Sequence, residues 1–375
     1  MKNEILLHTL SVGDEVLWKP SNQSIAVVFK APRKVLSTSL LNGGYQEELA
    51  GVFNHSCGPD DGTPCKLRAA KYKEHLRLVA IGAGFDPDKA TGMGTAALME
   101  KVAIIKKDYR ELVVTAIVTA GVEGNGGRVG DLAKHYEPIE KTGAHKMGTI
   151  NIILIIDADM PPGTLARALV TCTEAKTAAL QELMVGSLYS TGLATGSGTD
   201  QSIVIANPES SLYFEGAGKH NKLGELIGLA VKEAVTEALQ KQNGLFPSKQ
   251  HSVLRRLKRF GVNEKSLWQD YQAYIKKRNI TEEAFLHNLW LWEREDQAVT
   301  YTSLYVHLLD QFQWGLLKPA EVGDCANAFL RFIGEKFAIN VPQIEQVSLY
   351  QMVIAWNKIV LECLEKQFLK NTFSK

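Results

Sequence analysis

With 375 residues, of which 45% are hydrophobic, the chain can bury at least one full core, and its length favours two domains. Its 42 Lys and Arg residues and 41 Asp and Glu residues give a net charge of +1, which excludes an electrostatic attraction to nucleic acid or to an anionic membrane surface. No apolar run reaches the roughly 18 residues of a membrane span, and the N-terminus does not resemble a signal peptide. Five cysteines, an odd number, fit reduced thiols, so we expect a cytoplasmic protein.

The first part of the chain alternates between strand and helix patterns. Apolar runs typical of strands occur at residues 15–18, 25–29, 34–37, 112–118, 149–157 and 202–206. Amphipathic patterns predict helices over residues 66–79, 164–185 and 222–242. The turn at residues 41–48 is predicted to run into a further helix, although its Asn-Gly pair could instead form a plain hairpin turn. These elements predict an α/β domain, a mixed sheet with flanking helices, over residues 1–245.

The composition changes near Gly244. Residues 1–245 hold 27 of the 31 glycines, whereas residues 246–375 hold five of the six tryptophans. Apolar residues then recur at helical spacing, predicting helices at 249–260, 264–278, 282–292, 297–314, 319–337 and 347–369. We therefore expect a smaller all-α C-terminal domain over residues 246–375, for which the sequence indicates no role.

Two glycine-rich loops between Thr191 and Gly228 flank the predicted strand 202–206. They bring polar side chains to the ends of that strand, among them Asp200 and His220. Small residues let a ligand approach the backbone closely, and the polar residues supply acid, base and hydrogen-bonding groups. Ordinary turns would use the same residue types, so composition alone leaves both interpretations open.

Four stretches together resemble the adenosylcobinamide amidohydrolase family, which acts in corrinoid salvage. They are residues 119–131, residues 148–154, residues 173–180, and residues 194–200 taken with 222–228. The resemblance covers roughly residues 35–242. It implies hydrolysis of the amide that joins aminopropanol to the corrin ring, giving adenosylcobyric acid. It implies no required cofactor, because the cobalt-corrinoid is the substrate.

Amide hydrolysis requires a nucleophile, stabilisation of an oxyanion and a proton for the leaving amine. We predict His220 as the general base or acid, since the ordinary pKa of histidine lies nearest neutral pH. Asp200 could orient His220 or act directly on water. Thr199 is a candidate nucleophile, although activation of water is the simpler alternative. Glu174 could complete the catalytic group if its helix faces the loops.

The remaining candidate residues are predicted to bind the substrate. Backbone groups at Gly196, or Lys222 at the start of a helix, could hold the oxyanion, and Glu225 could orient Lys222. Lys176 and Asn125 complete this predicted set. No two histidines and a carboxylate stand at ligand spacing, so the sequence does not predict a metal site.

Two other functions remain open at this point. A non-catalytic corrinoid-binding protein could use the same loops to hold cobinamide and deliver it to a partner. A nucleotide-dependent enzyme could use the glycine-rich loops to bind phosphate. However, the glycine spacing matches neither a Walker loop nor the dinucleotide-binding fingerprint. The sequence predicts a corrinoid small molecule as partner, with no nucleic acid and no membrane span, and it is compatible with a homo-oligomer.

Overall fold

The computed structural model describes residues 4–58, 67–133, 149–274 and 280–373. The chain divides into two compact units, Met1–Phe246 and Pro247–Lys375. No helix in the described part of the chain is long and apolar enough to cross a membrane.

All thirteen strands of the described residues lie in the first unit, where they form two sheets and a short ribbon. In chain order, the strands are β1 (Ile5–Thr9), β2 (Glu15–Lys19), β3 (Ser24–Val28), β4 (Lys34–Ser37), β5 (Gly44–Gln46), β6 (Gly51–Ser56), β7 (Ala90–Thr95), β8 (Ala103–Tyr109), β9 (Leu112–Ala120), β10 (Gly126–Gly127), β11 (Ile150–Ile156), β12 (Gly196–Ser197) and β13 (Gln201–Ala206). Sheet A has the order β1-β2-β3-β6-β7, and sheet B has the order β5-β4-β13-β11-β9-β8.

Each sheet contains one parallel pair among antiparallel neighbours. In sheet A the parallel pair is β6 and β7, and in sheet B it is β11 and β13. The parallel strands β11 and β13 need a crossover connection, which α2 (Pro162–Glu182) provides. The register aligns Asn151 with Gln201, so both strands begin at the same edge of sheet B.

The first unit is built in four layers. Helix α1 (Tyr72–Gly82) packs on the outer face of sheet A, and α2 and α3 (Lys222–Asn243) pack on the outer face of sheet B. The inner faces of the two sheets meet in a core that includes Val27, Ile153 and Ile203. All seven residues of β11 are buried, as expected for a strand covered on both faces.

The second unit is helical. Its helices are α4 (Val253–Leu257), α5 (Glu264–Tyr274), α6 (Glu282–Trp292), α7 (Asp296–Gln313), α8 (Pro319–Phe337) and α9 (Leu349–Phe373). In its core the rings of Tyr305 and Trp356 stack with centroids 4.5 Å apart. The buried Arg259 guanidinium donates two hydrogen bonds to the Asp310 carboxylate, at 2.7 and 2.6 Å. Trp292 and Trp356 fill this core, whereas Trp290 and Trp314 are exposed.

These observations confirm the predicted fold class: mixed sheets with flanking helices, followed by an all-helical region. The predicted helix after the turn at residues 41–48 is wrong, because Tyr45 and Gln46 pair with β4 as strand β5. The alternative prediction of a hairpin at this Asn-Gly pair is confirmed, since β4 and β5 are antiparallel. Helix α1 begins at Tyr72, several residues after the predicted start, and the first residue of that prediction, Lys66, lies outside the described residues.

A fragment ending at Phe246 is expected to fold alone and to melt cooperatively. Leu245 is buried in the core of the first unit, and the Asn243 side chain accepts a hydrogen bond from the Val122 N–H. A fragment cut after Gln242 lacks both contacts and is expected to melt at a lower temperature. Circular dichroism of the two fragments measures the difference, and aggregation of the longer fragment would contradict independent folding.

Candidate active site

The glycine-rich loop after β9 is bound to the loop before β13. Gly126 and Gly127 pair with Ser197 and Gly196 in the β10–β12 ribbon. The Tyr189 hydroxyl donates to the Asn125 side-chain oxygen at 3.0 Å. Two loops that are about 70 residues apart in the chain therefore form one surface at the edge where β11 and β13 begin.

Asp200 is the centre of this surface. Its carboxylate accepts hydrogen bonds from the Lys176 ammonium at 2.5 Å, the Ser197 hydroxyl at 2.6 Å, the Ile150 N–H at 2.9 Å and the Ser197 N–H at 3.0 Å. The side chains of Lys176 and Asp200 are only 11% and 12% exposed. Because a carboxylate offers about four lone-pair sites, Asp200 is fully occupied and acts as an anchor for its neighbours.

Thr199 lies beside Asp200 and meets a second threonine. Its hydroxyl forms a hydrogen bond with that of Thr149, which directly precedes β11 and is 3% exposed. The Ser197 hydroxyl is 3.5 Å from the Thr199 hydroxyl, which connects the threonine pair to Asp200. Sequence reasoning missed Thr149 as a site residue, although it stands inside one of the stretches that carried the family resemblance.

Gly196 is required by the ion pair. A Cβ atom at this position would lie 2.3 Å from Asp200 Oδ2 and 2.8 Å from Lys176 Nζ. Real Cβ atoms do not approach other atoms this closely, so only glycine leaves room for the pair. The predicted role of Gly196 in substrate binding is untested, and its visible role is steric.

The other predicted residues form a separate group at the start of α3. Lys222 is paired with Glu225 at 2.7 Å, and Glu174 with Lys219 at 3.1 Å. Lys222 also lies 4.7 Å from the ring centroid of Tyr109, at the hairpin between β8 and β9. Asp200, in contrast, is bonded to Ile150, which pairs with Ala120 at the other end of β9.

Helix α2 contributes to both groups. Glu174 and Lys176 are two residues apart, which on an α-helix rotates their side chains by about 200°. Glu174 consequently contacts the α3 group, while Lys176 contacts Asp200. The structure brings Asp200, Thr199, Lys176, Gly196 and Asn125 together, and it does not bring Glu174, Lys222 or Glu225 to them.

His220 is exposed and makes no hydrogen bond within the described part of the chain, so the predicted pairing with Asp200 is not formed. A general base must lie within hydrogen-bonding reach of the proton that it abstracts. We therefore expect His220→Ala to retain turnover within about threefold. Steady-state kinetics of the folded variant measure this, and the roughly 100-fold loss typical of a missing acid or base would return His220 to the mechanism.

Cys172, on α2, does not supply a thiolate nucleophile to this site. Burial raises the pKa of the Cys172 thiol to about 12, so it stays protonated at neutral pH. Cys57 is disulfide-bonded, whereas Cys172, Cys325 and Cys363 are free, so the prediction that every thiol is reduced is wrong for Cys57.

Among the described residues, no group of three His, Cys, Asp or Glu side chains could hold a metal ion.

Comparison with known proteins places the first unit in a family. The sequence model of the adenosylcobinamide amidohydrolases matches residues 7–247. An uncharacterized protein of Methanocaldococcus jannaschii is 35% identical over 249 residues, which are 63% of this chain and 92% of that protein. The chain belongs to the adenosylcobinamide amidohydrolase family. The resemblance predicted from four short stretches is thereby confirmed.

Other relatives are more distant. A Methanosarcina mazei protein named adenosylcobinamide amidohydrolase is 28% identical over 222 residues, covering 57% of this chain and 94% of that protein. A solved Pyrococcus horikoshii structure covers 69% of this chain and 92% of its own, at 10% identity and a TM-score of 0.32, too low to support an argument. The part of this chain that matches the family model, residues 7–247, includes every residue of the Asp200 surface and ends before α4.

Proposed function

We propose that the protein hydrolyses the amide that joins aminopropanol to the corrin ring of adenosylcobinamide. Water adds across the C–N bond, giving adenosylcobyric acid and free aminopropanol. Family membership supports the substrate class. The observation that supports the chemistry is the nearly buried Lys176–Asp200 pair, linked through Ser197 to the Thr199 and Thr149 hydroxyls.

Lys176 is the group best suited to stabilise the oxyanion. An ammonium has three N–H donors, and the described structure gives Lys176 one acceptor, the Asp200 carboxylate. The remaining donors are available to the carbonyl oxygen of a bound amide. A fixed cation in a site from which water is largely excluded stabilises developing negative charge more than it would in water.

Asp200 is a positioning residue in this proposal. It holds Lys176 in place and fixes the turn that presents Thr199, while its filled lone pairs leave no site for a proton from water. The nucleophile is the Thr199 hydroxyl or a water molecule bound beside it. In the first case an ester forms on Thr199 as the amine leaves, and water then cleaves it; in the second, water attacks directly.

The corrinoid-binding alternative is separated by product analysis. The purified full-length chain is incubated with adenosylcobinamide, and aminopropanol and adenosylcobyric acid are measured by mass spectrometry. The proposal expects both products in equal amounts, without an added cofactor, because the cobalt belongs to the substrate. Tight binding without aminopropanol release would instead identify a corrinoid-binding protein. We also propose that the protein is cytoplasmic, as the sequence predicts.

A further inference from the structure

Polar side chains form a row between the two sheets, at the edge where β11 and β13 begin. Asn151 is aligned with Thr119 on β9 and with Gln201 on β13. Residues aligned across neighbouring strands point to the same face of the sheet. That face is the one towards sheet A, because the Asn151 amide donates to Asn54 on β6 at 2.8 Å and to the Gly94 carbonyl on β7 at 3.1 Å.

Asn151 is fully buried, yet its side-chain oxygen has no hydrogen-bond partner. Its orientation is fixed, because the Gly94 carbonyl can only accept and therefore selects the NH2 end of the amide. The side-chain oxygen of the aligned Gln201 is also buried without a partner. An unpaired buried carbonyl costs free energy, so two neighbouring ones need an explanation.

These carbonyls lie next to the threonine pair. Thr149 and Thr199 stand two residues before Asn151 and Gln201 respectively. The Gly121 N–H donates to the Thr149 carbonyl, which extends the ladder by one residue before the start of β11. Strand alternation therefore puts the Thr149 side chain on the same face as Asn151. The hydrogen bond between the two threonine hydroxyls brings Thr199 to that face as well.

We infer that the Asn151 and Gln201 carbonyls accept a hydrogen bond from the N–H of the amide that is cleaved. This inference rests on the proposed function. A secondary amide supplies the N–H donor that both carbonyls lack. The product has a carboxylate at the same position, and a carboxylate only accepts hydrogen bonds. The two carbonyls thus select an amide and repel the acid, which favours release of the corrinoid product.

Gln201→Leu in the full-length chain tests the inference. The change removes the unpaired carbonyl at similar volume, so we expect the melting temperature to stay at or above the wild-type value. We expect KM for adenosylcobinamide to rise about tenfold, the effect of one lost hydrogen bond, while inhibition by adenosylcobyric acid becomes stronger. Asn151→Leu also breaks the bonds to Asn54 and Gly94 and is expected to lower the melting temperature.

Thr119→Val is the matched control. It removes the hydroxyl that accepts from Asn54 in the same row, but it leaves both unpaired carbonyls unchanged. We expect its KM and its product inhibition to remain within about twofold of wild type. An unchanged KM in Gln201→Leu overturns the inference. The two carbonyls would then accept hydrogen bonds from a buried water molecule and not from the substrate. Absence of product with the wild-type chain would instead overturn the proposed function itself.

Discussion

Asp200→Asn is expected to lower kcat by at least about 100-fold and to destabilise the first unit by about 3 kcal/mol. The carboxylate accepts four hydrogen bonds, and an asparagine amide would turn an NH2 group towards some of those donors. It would also leave the Lys176 ammonium without its counter-ion in a nearly buried position. Steady-state kinetics and urea unfolding measure the two effects.

The double variant Asp200→Asn/Lys176→Gln separates the effect of the unpaired charge on stability from the effect of the ion pair on catalysis. Removing the unpaired charge should restore part of the unfolding free energy, because the isolated ammonium is the costly species. Turnover should stay low, since Lys176 is proposed to stabilise the oxyanion. Wild-type turnover in Asp200→Asn would contradict this role for the pair, whatever its stability.

Gly196→Ala is expected to reduce turnover to a similar extent. The new methyl group would lie 2.3 Å from Asp200 Oδ2 and 2.8 Å from Lys176 Nζ, so one of the two side chains must move. Separating them breaks a hydrogen bond between charged groups and displaces the ammonium from the position where the oxyanion would form. We expect kcat to fall by about 30-fold to 100-fold, which corresponds to an increase of about 2–3 kcal/mol in the activation free energy.

Gly198→Ala is the control for this substitution. Gly198 is in the same turn, but its nearest neighbours, the side-chain atoms of Asn125, would be at an ordinary contact distance of 3.7 Å. We expect turnover within about threefold of wild type. Equal losses in both variants would show that the turn tolerates no side chain, and the specific argument about the ion pair would be wrong.

Much of the fold is predictable from the sequence because local patterns and burial agree. The strongly apolar stretch at residues 149–157 predicts a strand, and β11, in which all seven residues are buried, is one. The helix predicted after residues 41–48 fails because Tyr45 and Gln46 are stabilised by pairing with β4, a contact that local propensity does not include. Strand β7 escaped prediction because its glycines resemble a loop.

The candidate site is only partly predictable, for a related reason. Asp200, Thr199 and Lys176 stand out by residue type, but the ion pair joins a turn to a helix 24 residues away. His220 looks close to Asp200 in the sequence, yet β13 carries the chain across sheet B between them. Thr149 and Asn151 gain their significance only from the strands aligned beside them.

The four hydrogen bonds to Asp200 also bear on how the protein folds. Their donors come from residues 3, 24 and 50 positions away in the chain. Parallel pairing of distant strands is slow, because loop closure costs entropy before any contact compensates for it. The bond between Asp200 and the Ile150 N–H requires β11 and β13 to be in register, so a refolding intermediate that lacks this pairing has no intact site. Recovery of catalysis after denaturation would therefore track the slowest long-range event in the first unit, and not the early appearance of its helices.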